Sequence, residues 1–391
     1  MSDLPFLVAG GGIAGLGAAL GLGLSGAPVR LFEQASAFEE VGAGLQMSPN
    51  GVRALRALGA WEAVEPACVI PSEIHVRDGI SGALLQRIRL GKTFEDQFGA
   101  PYRVCHRADL LAGLLTAAKA NPAIELNTSA CVTTSRTDAD AAELDFLDGN
   151  TVRGRAVIAA DGIRSCLRRA IAGEAAPVSQ GHVIYRSLIP LRSVPPEIEA
   201  DCVTLWLCPG GHVVHYPVSN CRNFNIVAAV DGSIPDQGWT SPAAPAEVAR
   251  HFSEACEELS ALLAVSPTWQ RWPGADLPEL PCWSKGNLAL IGDAAHATLP
   301  YLAQGAVMAL EDAVVLGQEM SRTSSPAAAF AAYEARRKPR TSRIQNQSRR
   351  QGGIYHAGGM VAVARNAVLR FGGSGVVMRR TRWIYGWSPD A

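Results

Sequence analysis

The chain has 391 residues, and 35 Lys and Arg against 36 Asp and Glu leave a formal net charge of −1. That balance provides no basic footprint for nucleic acid, and no apolar run approaches the roughly 20 residues that a membrane-spanning helix needs. Nine cysteines are scattered without C-x-x-C or zinc-ligand spacing, so no metal site is expected and the thiols are expected to be reduced in a cytoplasmic protein.

The first apolar run, Pro5 to Ala9, is bounded by glycine and predicts a buried strand. Gly10, Gly12 and Gly15 follow with G-x-G-x-x-G spacing. The first glycine permits the tight turn, the second lets the backbone approach a pyrophosphate, and the third lets the helix pack close to the strand. The helix ends at Ser25-Gly26, Val29 to Phe32 form a second strand, and Glu33 then stands where an acid accepts from a ribose hydroxyl. This register predicts a dinucleotide site.

A glycine-rich turn at 41–50 opens a helix through Leu58-Gly59, with a second helix near Trp61. Glu73 to Leu90 alternates like a hairpin, with Asp78-Gly79 and Ser81-Gly82 as turn signals. Tyr102 to Leu111 leads a strand into a helix ending near Pro122. Strands at 124–126, 130–134, 143–146 and 151–155 predict a meander, and Ala156 to Ala160 a buried strand. A helix is expected from about Ser165 to Ala172. The stretch 179–230 is β-rich, 246–263 predicts one polar-faced helix, and 269–283 a proline-rich connection. Asn287 to Ile291 is another buried strand, followed by a long helix from Gly305 through Glu319. The remainder is helical, its basic run Arg336 to Arg350 expected as a solvated face.

Three apolar strands thus end in small-residue turns bearing an acid: Gly10 to Gly15 with Glu33, Asp161-Gly162, and Gly292-Asp293. Ligands of open parallel sheets gather at the carboxyl ends of the strands, so all three can meet one extended cofactor. Asp161 and Asp293 would also serve as helix N-caps, and His296 is expected to satisfy a backbone group.

The segments GGGIAG at 10–15 with Glu33, ADGIRS at 160–165, and GDAAHATLPYLAQGAVMALEDA at 292–313 resemble the single-component FAD-dependent aromatic hydroxylases of the para-hydroxybenzoate hydroxylase fold. VGAGLQMSPNG at 41–51, HRADL at 106–110 and RWIYGWSPD at 382–390 look most like the branch with 3-hydroxybenzoate 6-hydroxylase, salicylate hydroxylase and 6-hydroxynicotinate 3-monooxygenase. The resemblance implies an α/β fold: a Rossmann-like FAD-binding domain (1–72, 101–176 and 280–345), an inserted β-sheet substrate domain (73–100 and 177–279), and a C-terminal helical segment (346–391).

It further implies noncovalent FAD, with its pyrophosphate at Gly10, Gly12 and Gly15 and its ribose at Glu33. Arg107 would contact FAD near its ribose and phosphates, and Asp161 would serve both FAD and the nicotinamide nucleotide. Gly292 and Asp293 would meet the ribitol, and Gly305 and Ala306 the isoalloxazine. NAD(P)H is the implied co-substrate, binding across the interdomain cleft, since no second dinucleotide motif is present. The implied reaction is hydroxylation of a phenolic, hydroxybenzoate-like ring by NAD(P)H and O2 through a flavin C4a-hydroperoxide. An FAD oxidase or dehydrogenase on the same scaffold is the alternative, and a homodimer is compatible with the resemblance.

At the substrate end, period-two alternation turns His212, Val214 and Tyr216 one way and His215 the other. The H-x-x-x-Y pair matches residues beside the substrate in the relatives. His212 is thus the candidate base and Tyr216 the candidate hydrogen-bonding partner. Pro300 falls in the loop over the flavin, where the family usually has proline; 3-hydroxybenzoate 6-hydroxylases are expected to carry glutamine there. Gln46 and Gln304 are secondary pocket candidates, and no arginine stands out as a carboxylate partner.

Overall fold

A computed structural model describes residues 4–39, 43–138, 141–233 and 239–390; Val41 and Gly42 of the glycine-rich turn lie outside the described residues. The strand Phe6–Ala9 is apolar at every position and buried on both faces, the pattern of a parallel strand covered on two sides. It lies inside a six-stranded sheet ordered Ser284–Lys285, Leu288–Leu290, Ala156–Ala159, Phe6–Ala9, Val29–Phe32 and Ile124–Asn127. All neighbours run parallel except the first pair. Leu288–Leu290, Ala156–Ala159 and Phe6–Ala9 are therefore adjacent, and the turns at Gly292, Asp161 and Gly10 emerge side by side from one sheet edge.

The second large sheet has eight strands, ordered Ser241–Ala243, Trp269–Asp276, Val178–Pro190, Asn223–Asp231, Gly211–Val218, Val203–Cys208, Glu73–Asp78 and Leu84–Arg89. Only Val203–Cys208 and Glu73–Asp78 run parallel. The sheets have separate cores. One gathers around Leu7, Leu16 and Leu310, the other around Trp206, Phe224 and Trp269.

Several expectations are corrected. Trp269–Asp276 is a strand, with Pro273 beyond the three residues that pair with Ser241–Ala243; its missing N–H therefore faces an open edge. The helix expected at 246–263 is two helices, Pro245–His251 and Glu257–Ala264. The break lets Val248, Phe252, Leu259 and Leu262 reach one core. Ile124–Asn127 joins the six-stranded sheet, leaving Val132–Thr137, Ala142–Phe146 and Thr151–Gly154 as the meander. Only Arg169–Ala172 is helical where 165–172 was expected. The preceding turn is held instead by the Arg168 guanidinium, which donates to the carbonyls of Ile163, Ala175 and Ala294.

The basic run is only partly a solvated face, with Arg343 and Arg350 exposed. Along the helix Pro326–Tyr355, Arg337 is 1% exposed and pairs with Glu311 at 2.8 Å and Asp312 at 2.7 Å, while Arg340 binds Glu311 at 2.7 Å. Both carboxylates come from the helix Gly305–Arg322, so the arginines lock that helix to its neighbour.

Candidate active site

Two helix starts open onto one cleft. Gly12 caps the helix Ile13–Gly23 in extended conformation, with no side-chain cap and no acid in the first turn. The first N–H groups are therefore available to an anion, reinforced by the helix dipole. A Cβ on Gly10, whose φ is +107°, would lie 2.4 Å from the Ala160 carbonyl oxygen, and one on Gly15 would lie 1.8 Å from that of Gly10. A Cβ on Gly12 would meet nothing within 4 Å. Gly10 and Gly15 are thus required by the protein's own packing, whereas Gly12 leaves an open cradle that a pyrophosphate fits.

The Glu33 carboxylate accepts from the N–H of Gly11 at 2.7 Å and of Ala35 at 2.8 Å, bracing the glycine turn from the next strand. Asp161 accepts from the Leu167 N–H at 3.2 Å through Oδ2; it organises the following turn and is not a helix N-cap. Its other oxygen is buried without a hydrogen-bond partner among the described residues. Asp293 is the first residue of the helix Asp293–His296, whose N-cap is Gly292 at φ +61°. The N-cap alternative therefore fails for Asp293 as well.

The cleft has a volume of about 520 Å³. Gly12, Arg107, Asp293, Gly305 and Ala306 line it from the six-stranded-sheet side, and His212 and Tyr216 from the eight-stranded sheet. Pro300 and Tyr301 lie between them. Gly10, Gly15, Glu33, Asp161 and Gly292 stand behind this lining and shape it. Gly305 begins the 18-residue helix Gly305–Arg322 without a side-chain cap or an acid in its first turn, a second positive helix end facing the cleft. Thr298 Oγ1 and Tyr301 OH, both on the lining, are buried without partners among the described residues.

Beneath the Gly305 turn lies a buried polar network. Gln304 donates to Ser48 and accepts from Asn50, each at 2.9 Å, and Asn50 also donates to Glu311 at 2.7 Å. Gln304 therefore positions the helix start and is no pocket residue, whereas Gln46 does line the cleft and accepts from Tyr102 OH at 2.6 Å. His296 bonds the Asp312 carboxylate at 2.5 Å, not a backbone group. Burial alone would raise the Asp312 pKa, but His296 and Arg337 outweigh it and hold the value at about 2.

The opposite wall of the cleft is one face of the eight-stranded sheet. His212, Ala229 and Ile184 form one cross-strand row; Val214, Val227 and Arg186 form the next, two residues along. Tyr216 begins a third row opposite Asn225. His215 lies on the other face, accepting from Trp206 Nε1 at 2.9 Å; burial, then Arg77 and His75, push its pKa to about 3. On the cleft face, burial and the neighbouring His356 and His182 push the His212 pKa well below its ordinary value. Burial raises that of Tyr216. At neutral pH His212 is therefore an uncharged proton acceptor and Tyr216 a protonated donor. The Arg186 guanidinium lies over the Trp272 ring, 5.0 Å from its centroid, and both line the same wall.

Sequence reasoning missed Arg186, Tyr301 and His356. Arg186 falls on an inward position of Val178–Pro190, but 35 Lys and Arg offer no local mark that singles it out. His356 follows a 30-residue helix and reaches His212 only through tertiary folding.

The glycine cradle, the two uncapped helix starts and the polar lining fit FAD. Residues 3–348 match the family model described as an FAD binding domain. Across 388 residues the chain is 37% identical to a 3-hydroxybenzoate 6-hydroxylase of Polaromonas naphthalenivorans (strain CJ2), covering 99% of this chain and 97% of that protein. Among solved structures it is similar to Klebsiella pneumoniae HpxO complexed with FAD and uric acid, at TM-score 0.89 and 27% identity, over 99% and 98% of the two chains. It is also similar to a salicylate hydroxylase substrate complex, at TM-score 0.83 and 28% identity, over 99% and 96%. The chain therefore belongs to the FAD-binding aromatic hydroxylases, as an FAD-dependent monooxygenase with NAD(P)H as co-substrate.

Proposed function

We propose that the aromatic substrate is a phenolic carboxylic acid of the hydroxybenzoate class. The observation that carries this reading is the pairing, on one sheet face, of an uncharged His212 with the cation of Arg186 two strands away. Two strand spacings and an offset of two residues along the strand make a diagonal of about 12 Å, a span that both side chains narrow to the length of a substituted benzene ring. Arg186 takes the carboxylate, His212 takes the phenolic proton, and Tyr216 hydrogen-bonds the phenolic oxygen. Loss of that proton raises the electron density of the ring at the carbon to be oxygenated. Pro300 borders the ring's approach, and Val214, Val227 and Ile184 exclude water around it.

Bound FAD supplies the redox chemistry, taking electrons from NAD(P)H and activating O2. We assign its pyrophosphate to Gly10, Gly12 and Gly15, and its ribose and phosphates to Glu33, Arg107 and Asp161. Its ribitol goes to Gly292 and Asp293, and its ring to Gly305 and Ala306. The domain division given by the sequence, a cytoplasmic location and a homodimer belong to the same reading. All nine cysteines are free, and no helix among the described residues is long and apolar enough to cross a membrane. The helix Gly359–Gly372 exposes Met360, Val361, Val363 and Phe371, an apolar face that a second copy would cover. Light scattering tests the assembly.

Anaerobic reduction by NADH and by NADPH, across a panel of hydroxybenzoates and neutral phenols, tests the function. Carboxylated phenols should accelerate flavin reduction and yield a hydroxylated product in air. Flavin reduction by the aromatic compound alone would overturn the reading. His212→Ala is expected to uncouple the reaction, raising peroxide at the expense of product; unchanged coupling removes His212 from its role.

A further inference from the structure

His212 is 4% exposed, and a substrate in the cleft closes its remaining access to water. A proton taken there must leave, because burial, His356 and His182 all disfavour a charged His212 ring. The structure contains an exit. His212 Nδ1 lies 2.9 Å from His356 Nε2, and His356 Nδ1 lies 2.5 Å from Asp231 Oδ1. The Asp231 side chain is 57% exposed, whereas that of His356 is 3% exposed. The three groups therefore connect the cleft wall to solvent without a gap.

We propose that His356 and Asp231 form a proton relay that carries the phenolic proton from His212 to solvent. The inference rests on the role proposed above for His212 and extends it to two residues that act only through it. The hydrogen bonds fix the direction. Asp231, an acceptor, holds the proton of His356 on Nδ1, which leaves His356 Nε2 with a lone pair. That lone pair accepts from His212 Nδ1–H, so His212 presents Nε2 as the acceptor toward the cleft. The phenol gives its proton to His212 Nε2, Nδ1–H passes to His356 Nε2, and His356 Nδ1–H passes to Asp231 and on to water. Each ring gains one proton as it loses another, so neither need hold a charge. Reverse transfer when the product phenolate is reprotonated restores the starting tautomers.

The surroundings favour relay over metal binding. His182 Nδ1 lies 3.3 Å from Asp231 Oδ1, and Tyr301 packs against His182, His212 and His356. Tyr355 flanks His212, and the Arg365 cation acts on His356. His182, Asp231 and His356 could be imagined as ligands of one ion. However, two tetrahedral ligands near 2.1 Å from a metal stand roughly 3.4 Å apart, well beyond the 2.5 Å observed between His356 and Asp231.

The test is proton release on ligand binding. FAD-loaded, oxidised enzyme is mixed with 3-hydroxybenzoate in weakly buffered solution containing a pH indicator. The wild type should release about one proton per site. His356→Gln and Asp231→Asn should slow that release at least about tenfold, with ligand affinity changed less than about twofold. Imidazole should restore the rate in His356→Ala, a rescue that a purely structural role would not produce. Normal release rates in both His356→Gln and Asp231→Asn overturn the relay. If His212→Ala then still abolishes release, the base assignment survives alone; if release persists in His212→Ala, or the wild type releases no proton, both readings fall.

Discussion

At the glycine turn, two positions three residues apart respond to a methyl group in opposite ways. A Cβ on Gly15 would be driven into the Gly10 carbonyl at 1.8 Å, while one on Gly12 meets open space. Gly15→Ala is expected to destabilise the protein by about 1–3 kcal/mol, the usual cost of overpacking, readable in urea unfolding of cofactor-free protein. Gly12→Ala should leave that curve unchanged and weaken FAD binding by about 2 kcal/mol, roughly 30-fold, because its methyl occupies the pyrophosphate's place. Titration of the apoprotein with FAD measures the second effect. Equal stability losses in both variants would contradict the division of labour. Arg186 permits a parallel test of specificity: loss of a charge-assisted hydrogen bond costs about 1.5–3 kcal/mol. Arg186→Met should therefore raise KM for 3-hydroxybenzoate roughly 10- to 100-fold, while KM for a neutral phenol moves little.

Among the elements, the helix Gly305–Arg322 begins on the cleft wall and is anchored by charge as well as by apolar packing. Glu311 and Asp312 are fully buried, and Arg337 and Arg340 on the helix Pro326–Tyr355 neutralise them. Removing one partner of a buried pair leaves an uncompensated charge, so Arg337→Met should cost about 3–5 kcal/mol and loosen FAD along with the helix. The pH response has a defined sign. Asp312 titrates at about 2 in the folded protein against an ordinary 3.8. Its contribution is complete above about pH 4 and is lost as the pH falls toward 2. Stability measured from pH 5 downward should therefore drop less steeply in Asp312→Asn than in the wild type. The Glu311-Asp312 pair stood in plain view within the long motif at 292–313, and the arginines in the basic run. Helical periodicity could not join them, because their partnership depends on how two helices pack. The glycine turn, the three strand ends and the alternation of His212 and Tyr216 were legible because each depends on neighbours within a few residues. The strand Trp269–Asp276 was not, because Pro273 within it and the prolines after it signal a break locally, and only the sheet edge accommodates Pro273.

In the molecule as a whole, the cleft lies between two sheets whose cores are complete without it. The sides also pack directly, Leu299 and Tyr301 against Ile184 and Ala229, and polar ties join them, among them Asn225 Oδ1 accepting from the Gly44 N–H at 2.7 Å and Asp109 accepting from Ser219 Oγ at 2.8 Å. A cofactor that touches both walls therefore adds stability by linkage and is not needed to build either core. Free FAD at 100 times its dissociation constant contributes about 2.7 kcal/mol. Unfolding entropy of about 2.1 cal/mol/K per residue over 391 residues comes to ~0.8 kcal/mol/K, so the melting temperature should rise by about 3 °C. The apoprotein should keep its far-ultraviolet circular dichroism throughout. With its weaker binding, Gly12→Ala should show a rise of only about 1 °C at the same FAD concentration, whereas Asp231→Asn, outside the cleft lining and behind His356, should show the full rise. A full rise in Gly12→Ala would place the ligand away from the glycine turn, and collapse of secondary structure in the apoprotein would show that the two cores do depend on what lies between them.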